Sequence, residues 1–269
     1  MIPQAYIEEW FRQAPWPLPV MVEQDLIISR ALVAVFSEET IARGLVFRGG
    51  TAIHKLHLAS AARYSEDIDL VQGAPEPIGP VIDAIRVVLD PLLGTPQRKF
   101  GRGLVTIMYR MESEGAPAVP MRLKIEINSR EHFALLGIMR KPFAVESSWF
   151  RGACEIPTFR MEELLGSKLR ALYQRRKGRD LFDLWLGLTV GEADPVLVVR
   201  CFRRFLEAQG VRISAAEFRQ NLAAKLSDPV FLADMAQLLR PGQVFDISAA
   251  HELVLTRLVD ALERSDKEG

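Results

Sequence analysis

Asp67 and Asp69 stand one residue apart in the run RYSEDIDLV, residues 63–71. Side chains alternate across a strand, so these two carboxylates share one face while Ile68 and Leu70 share the other. The apolar pair can anchor the strand on a core. Like charges placed close together raise each other's pKa unless something positive intervenes, so the acidic face calls for water or a cation. An isolated D-x-D of this kind is ordinarily a solvated strand end. Here it follows FRGGTAIHKLHL, in which an apolar run meets Gly49-Gly50-Thr51 and then a helical pattern, about 17 residues ahead of the acids. Glycine lets a phosphate approach the backbone, and the unpaired N–H groups of a helix's first turn point at it. A phosphate cradle leading directly to a carboxylate pair is what a magnesium–nucleotide site requires.

Two further stretches carry charge in a useful pattern. In MRLKIEIN, residues 121–128, Met121, Leu123, Ile125 and Ile127 take one face, and Arg122, Lys124, Glu126 and Asn128 take the other. That alternation fits a half-exposed strand. Beside an acidic strand, Glu126 becomes a candidate third carboxylate and Lys124 a candidate phosphate contact, although sheet order is not written in the sequence. In MEELLGSKLRALYQRRKGRDLFDLW, from Met161, Lys168 falls inside an apolar helical stripe. Such a lysine either snorkels along the surface or projects into a cleft between two halves of the protein. Lys168, Arg170, Arg175, Arg176, Lys177 and Arg179 follow one another with no acid among them. This is the densest basic run of the chain, suited to a triphosphate or an RNA backbone. Asp180 and Asp183 can hold Lys168 or an arginine, or simply face the dipole of their own helix. Ser65 is a cap or hydrogen-bond donor to the acidic strand, placed so that it can also meet a phosphate. His54 and His57 lie three apart, and no third ligand accompanies them for zinc.

The elements that must position these residues are read from periodicity. The pattern predicts a helix over 21–43, a short strand at 45–47, a helix capped by Thr51 and running to about residue 62, and then the acidic strand. A helix ending near Leu89 and a hairpin of VTIMYRM with MRLKIEIN come next, followed by a short strand around 143–147. From Met161 onward the chain reads as helix, punctuated by Gly178, Asp194-Pro195, Gly210, Asp228-Pro229 and Pro241-Gly242. An α+β domain over residues 1–158 and a helical domain over 159–269 are therefore expected. The 269 residues are 49% hydrophobic and 25% charged with zero formal net charge, so any nucleic-acid site must come from local clustering and not from bulk charge. Cys154 and Cys201 show neither metal spacing nor a disulfide framework, which fits a reducing cytoplasm. No uncharged stretch approaches the roughly 18 residues of a membrane span, and the N-terminal segment lacks a signal-peptide pattern.

In the order GGTAIHKL, RYSEDIDLV, LKIEINSRE and ELLGSKLRALYQRRKGRDLFDLW, the chain resembles the AbiEii/AbiGii-type nucleotidyltransferase toxins over roughly residues 25–190. These are the toxin halves of bacterial type IV-like toxin–antitoxin systems, the mycobacterial MenT toxins included. The resemblance implies a DNA polymerase β-like nucleotidyltransferase core with a helical C-terminal part. It implies Gly49, Gly50 and Thr51 as the phosphate-binding turn, Asp67 and Asp69 as the metal-binding pair, Glu126 as the third carboxylate, and Lys168 with Asp180 or Asp183 as a nucleotide-contacting motif. It further implies two magnesium ions, a nucleoside triphosphate substrate, transfer of a nucleotide (often a pyrimidine) to the 3′ acceptor end of tRNA, and a cognate antitoxin. Two rival expectations are the same chemistry on a small hydroxylated molecule, and a non-catalytic nucleotide-binding regulator acting through a protein partner.

Overall fold

Apolar periodicity and helix breakers account for most elements of the computed structural model, which describes residues 2–267. Three helices open the chain, α1 (Gln4–Trp10), α2 (Pro19–Phe36) and α3 (Glu39–Gly44). The unbroken apolar pattern over 21–43 thus hides an interruption. Glu38 takes an extended backbone and its carboxylate accepts from the Ile41 N–H at 2.7 Å, so it starts a new helix as a cap.

Seven strands follow: β1 (Leu45–Arg48), β2 (Asp67–Gln72), β3 (Gln97–Gly101), β4 (Leu104–Glu112), β5 (Pro120–Asn128), β6 (Ile138–Glu146) and β7 (Arg151–Phe159). They form one mixed sheet in the order β3-β4-β5-β2-β1-β7-β6. Between them lie the short helix α4 (Gly49–Ala52), continued by a π-helical turn over Ile53–His57, and α5 (Gly79–Leu93). The hairpin of β4 and β5 is the one that the alternation predicts. β7 is not predicted, and β3, whose residues are all exposed, is a charged edge strand with no apolar face to read. On the covered face Leu123, Ile125, Ile127, Ile68, Leu70 and Ile107 are almost fully buried, each worth about 1.5–3 kcal/mol. Helices α2 and α5 pack against the sheet, and the Tyr109 hydroxyl of β4 donates to Asp90 of α5 at 2.8 Å. Asp67, Asp69, Lys124 and Glu126 are half-buried on the opposite face.

The helical part contains α6 (Met161–Gln174), α7 (Gly178–Thr189), α8 (Pro195–Glu207), α9 (Ala215–Lys225), α10 (Pro229–Ala233), α11 (Ile247–Val254), a π-helical turn over Leu255–Val259, and α12 (Asp260–Lys267). Asp194, Asp228 and Asp246 each accept from a backbone N–H two residues on, and Ser214 forms a capping box with Glu217. Helices α6 and α8 meet at Gly166, where an added Cβ would stand 2.6 Å from Cys201 Cβ. The chain divides into two units. The first takes the chain as far as Phe133, then Ile138–Phe159 and Leu239–Pro241; the second takes Ala134–Gly137, Arg160–Leu238 and the chain from Gly242. The buried carboxylate of Glu163 explains the first exchange, because it accepts from the N–H groups of Leu135 and Leu136 at 2.7 and 3.0 Å. Among the described residues no helix is long and apolar enough to cross a membrane.

Candidate functional site

Strands β1 and β2 run antiparallel, which sets Arg48 opposite Asp69 and brings the following glycine against the acid. Gly49 has φ +82°, and a Cβ added there would overlap the Asp69 carboxylate. Only glycine adopts this conformation cheaply while leaving that space clear. A Cβ on Gly50 would likewise overlap the guanidinium of Arg63, a buried side chain whose Nη1 donates to the Tyr64 carbonyl at 2.9 Å. Thr51 does not cap the helix as the sequence predicts. It lies inside the first turn, where its hydroxyl donates to the Asp67 carbonyl at 2.5 Å and sits 2.8 Å from Ser65 Oγ. The Gly-Gly-Thr turn is therefore tied directly to the base of the acidic strand. The helix expected to run to residue 62 ends at His57, and its last turn is π-helical.

The parallel pairing of β2 with β5 brings the second pattern beside the first. Asp67 stands opposite Lys124, and Asp69 opposite Glu126. Lys124 Nζ lies 2.9 Å from Asp67 Oδ2 and 3.5 Å from Glu126 Oε2. Burial on its own would lower the Lys124 pKa, but the Asp67 carboxylate, with Glu126 and Asp69 beyond it, more than offsets this and holds the ammonium above its ordinary range. Carboxylate oxygens are the donors that a hard divalent ion takes, and these three side chains project from neighbouring positions of one sheet face, so they fit such an ion in chemistry and in register. The Lys124 ammonium already stands among them, however. Among the described residues no group of three or more His, Cys, Asp or Glu side chains is drawn together tightly enough to hold a metal.

A second charged cluster belongs to the helical unit. Lys168 is buried, with Nζ 2.8 Å from Asp183 Oδ2 and 3.4 Å from Asp180 Oδ1. Arg175 grips the same Asp180 through Nε and Nη2 at 2.6 and 2.7 Å. Both aspartates are fully buried, so Lys168 is an internal counterion and not a snorkelling side chain. The basic run from Arg175 to Arg179 is exposed or half-exposed but paired with acids. Arg176 meets Asp228 at 3.1 Å, and Lys177 and Arg179 reach Asp234 at 3.5 and 3.8 Å. Those acids lie some 50 residues downstream, out of reach of any local reading. Arg170 stacks on the Phe205 ring at 4.7 Å.

Among the described residues His54 and His57 join no cluster of three or more His, Cys, Asp or Glu side chains. His54 is buried and its Nδ1 accepts weakly from the Ala62 N–H at 3.4 Å. Burial, aided by the charge of Lys141, pushes His57 down to about 4, so it is neutral at physiological pH. Sequence reading overlooked two residues of the first unit: Arg63 beneath Gly50, and Arg48, which forms a 2.6 Å ion pair with Glu131. The arginine directly ahead of the Tyr-Ser of RYSEDIDLV was the available signal for the former.

The profile of the family described as "Nucleotidyl transferase AbiEii toxin, Type IV TA system" matches residues 30–253. Among solved structures, the nucleotidyltransferase toxin MenT4 from Mycobacterium tuberculosis is similar with a TM-score of 0.64 at 18% identity, covering 100% of this chain and 93% of that one. JHP933 from Helicobacter pylori gives 0.55 at 18% identity, covering 93% and 94%. At such identity the likeness establishes the fold alone, an α+β part built on the seven-stranded sheet together with a helical C-terminal part. No curated protein matches the chain. The family profile spans most of the sequence, and the chain belongs to the AbiEii family of nucleotidyltransferase toxins from type IV toxin–antitoxin systems.

Proposed function

We propose that this nucleotidyltransferase moves a nucleoside monophosphate, a pyrimidine by preference, from a nucleoside triphosphate to the 3′ acceptor end of tRNA, blocking aminoacylation in the cytoplasm until an antitoxin neutralises it. One observation carries the reading: the β2–β5 pairing that sets Asp69 beside Glu126 and Asp67 beside Lys124, directly under the Gly49–Thr51 turn. Asp67, Asp69 and Glu126 are the side chains that would hold magnesium, two ions in this reading. When bound, such ions polarise the attacking hydroxyl and stabilise the charge on the leaving pyrophosphate. The backbone of Gly49, Gly50 and Thr51 would cradle the β- and γ-phosphates, with the Ser65 hydroxyl beside them. Lys124 would then leave Asp67 and follow the negative charge to the phosphates. Glu126 would accept the proton of the attacking 3′-hydroxyl while a bond forms to the α-phosphorus and pyrophosphate departs. Within the helical unit, Lys168, Asp180 and Asp183 form the buried base on which Arg175 is mounted. Arg175, half exposed while it grips Asp180, is the member of that network able to meet a phosphate.

Incubation with magnesium, each α-labelled triphosphate in turn and total RNA tests the proposal. Label should appear in the tRNA band with a cytidine or uridine nucleotide, and Asp69→Asn should abolish it while leaving the unfolding temperature unchanged. Label recovered only in small molecules, or transfer that survives in Asp69→Asn, overturns it.

A further inference from the structure

The cations of the 175–179 run each pair with an acid, Asp180, Asp228 or Asp234, and a second group of cations gathers on another face of the helical unit. Helix α8 carries most of them. Val196, Val199, Arg200, Arg203, Arg204 and Glu207 follow the i, i+3, i+4, i+7, i+8, i+11 spacing of a single helix face. The opposite face, through Val198, Cys201, Phe202 and Phe205, is buried in the helical unit. The arginine face forms one wall of a cavity of about 500 Å³, with Arg264 and Ser265 of α12 on another wall and Leu135 on a third. That volume lies in the range of ordinary ligand sites.

The charge of this cavity is not balanced from within. Arg203 gives Nη2 to Asp266 at 2.5 Å and to the Leu262 carbonyl at 3.1 Å, while its Nε is buried with no partner. Among the described residues neither Arg200 nor Arg264 forms an ion pair, and Glu207 is the one acid that lines the cavity. Like charges three and four apart on a helix repel, so Arg200, which stands beside Arg203 and Arg204, carries a cost that an anion in the cavity would relieve. Guanidinium groups present paired donors that match phosphate oxygens in a bidentate fork. A second concavity of about 230 Å³ shares Arg203, Glu207 and Ser265 and adds Arg212 and Asp266, so the cleft continues past the end of α8. An elongated cleft with successive guanidinium groups fits a chain of phosphates better than a single small anion.

We propose that the α8–α12 cleft binds the phosphodiester backbone of single-stranded RNA. The choice of RNA among polyanions rests on the reading that RNA is the acceptor; the site itself rests on the cavity and its arginines.

The test uses full-length Asp69→Asn protein, which cannot transfer, and a fluorescein-labelled single-stranded RNA of ~12 nucleotides followed by anisotropy across a salt series. Adding Arg200→Gln and Arg264→Gln removes two phosphate contacts at about 0.7 each, so the log–log salt slope should become shallower by about 1.4 and affinity at 0.1 M salt should fall ~25-fold. Both side chains are exposed, so the unfolding temperature should hold, and binding of a fluorescent triphosphate should be unchanged. An unchanged RNA slope and affinity overturns the proposal. So does poly-glutamate displacing the RNA at equal charge concentration, which would make the cleft a site for an acidic protein segment. If the parent labels no RNA while the slope still changes in the variant, the acceptor reading fails and the RNA site stands. If the parent labels RNA while the slope does not change, this inference fails alone.

Discussion

Lysine in an apolar stripe invites the expectation that Lys168→Met is harmless to stability, because methionine keeps the packing of the stem. The geometry reverses that expectation. Lys168 Nζ is the 2.8 Å ion partner of Asp183, whose side chain is 0% exposed. Removing one partner of a buried pair leaves an uncompensated charge and costs about 3–5 kcal/mol. Asp180 is spared, since Arg175 still grips it with two nitrogens, so the low end of that range applies. For a protein of this size each kcal/mol shifts the melting temperature by roughly 2–4 °C, giving a loss of roughly 6–12 °C. Thermal unfolding followed by circular dichroism at pH 7 measures it. The double variant Lys168→Met/Asp183→Asn removes both charges and should recover most of the loss. A single variant that melts within about 2 °C of the parent, or a double variant worse than the single, refutes the assignment of Lys168 as an internal counterion.

Four further outcomes are expected. Lys124→Gln leaves Asp67, Asp69 and Glu126 facing one another, so it should destabilise the metal-free protein by about 1 kcal/mol, and added magnesium should raise its melting temperature more than the parent's. Gly49→Ala forces a side chain into a φ +82° conformation and against Asp69, so it should cost about 1–2 kcal/mol in urea unfolding and abolish transfer. Thr51→Val removes the hydroxyl bond to the Asp67 carbonyl and should cost about 1 kcal/mol with a fall in transfer rate. Burial, with Arg176 nearby adding to it and Asp180 opposing it, pushes Lys225 down to about 8 from 10.5. The unfolded chain therefore holds the extra proton between these values, and the parent should gain about 1–2 kcal/mol relative to Lys225→Met as pH rises from 8 to 10.5, read by urea unfolding at each pH.

The site's strands were legible because their chemistry is local. Alternation alone places Asp67 with Asp69, and Lys124 with Glu126, on shared faces. That these faces adjoin was not legible, because strand order depends on which apolar surfaces pack, and β2 pairs with β5 across 57 residues, Asp67 with Lys124. The same distance concealed the fate of the basic run, whose acids arrive with α10 and its neighbour Asp234. Aspartate–proline pairs announced the starts of α8 and α10 correctly, since both the cap and the fixed proline φ are properties of adjacent residues. Glu38 was harder to see: a glutamate cap breaks the long helix without any glycine or proline to mark it. Strand β7 escaped notice because RGACEIPTF carries no clean alternation, its last four residues being buried together.

The loop ahead of the acidic strand has an unusual place in the order of synthesis. Arg63 makes an antiparallel bridge with Leu239, and the Arg240 N–H donates to the Ala62 carbonyl at 3.0 Å. Among the described residues, every strand of the sheet and helices α1 to α10 are therefore synthesised before the two residues that pin this loop. The backbone that carries the guanidinium beneath Gly50 is fastened by Leu239 and Arg240, far downstream of the acidic strand. A chain that stops before Leu239 therefore holds Asp67, Asp69 and Glu126 but lacks the clasp on the loop that leads from the Gly-Gly-Thr turn to the acidic strand.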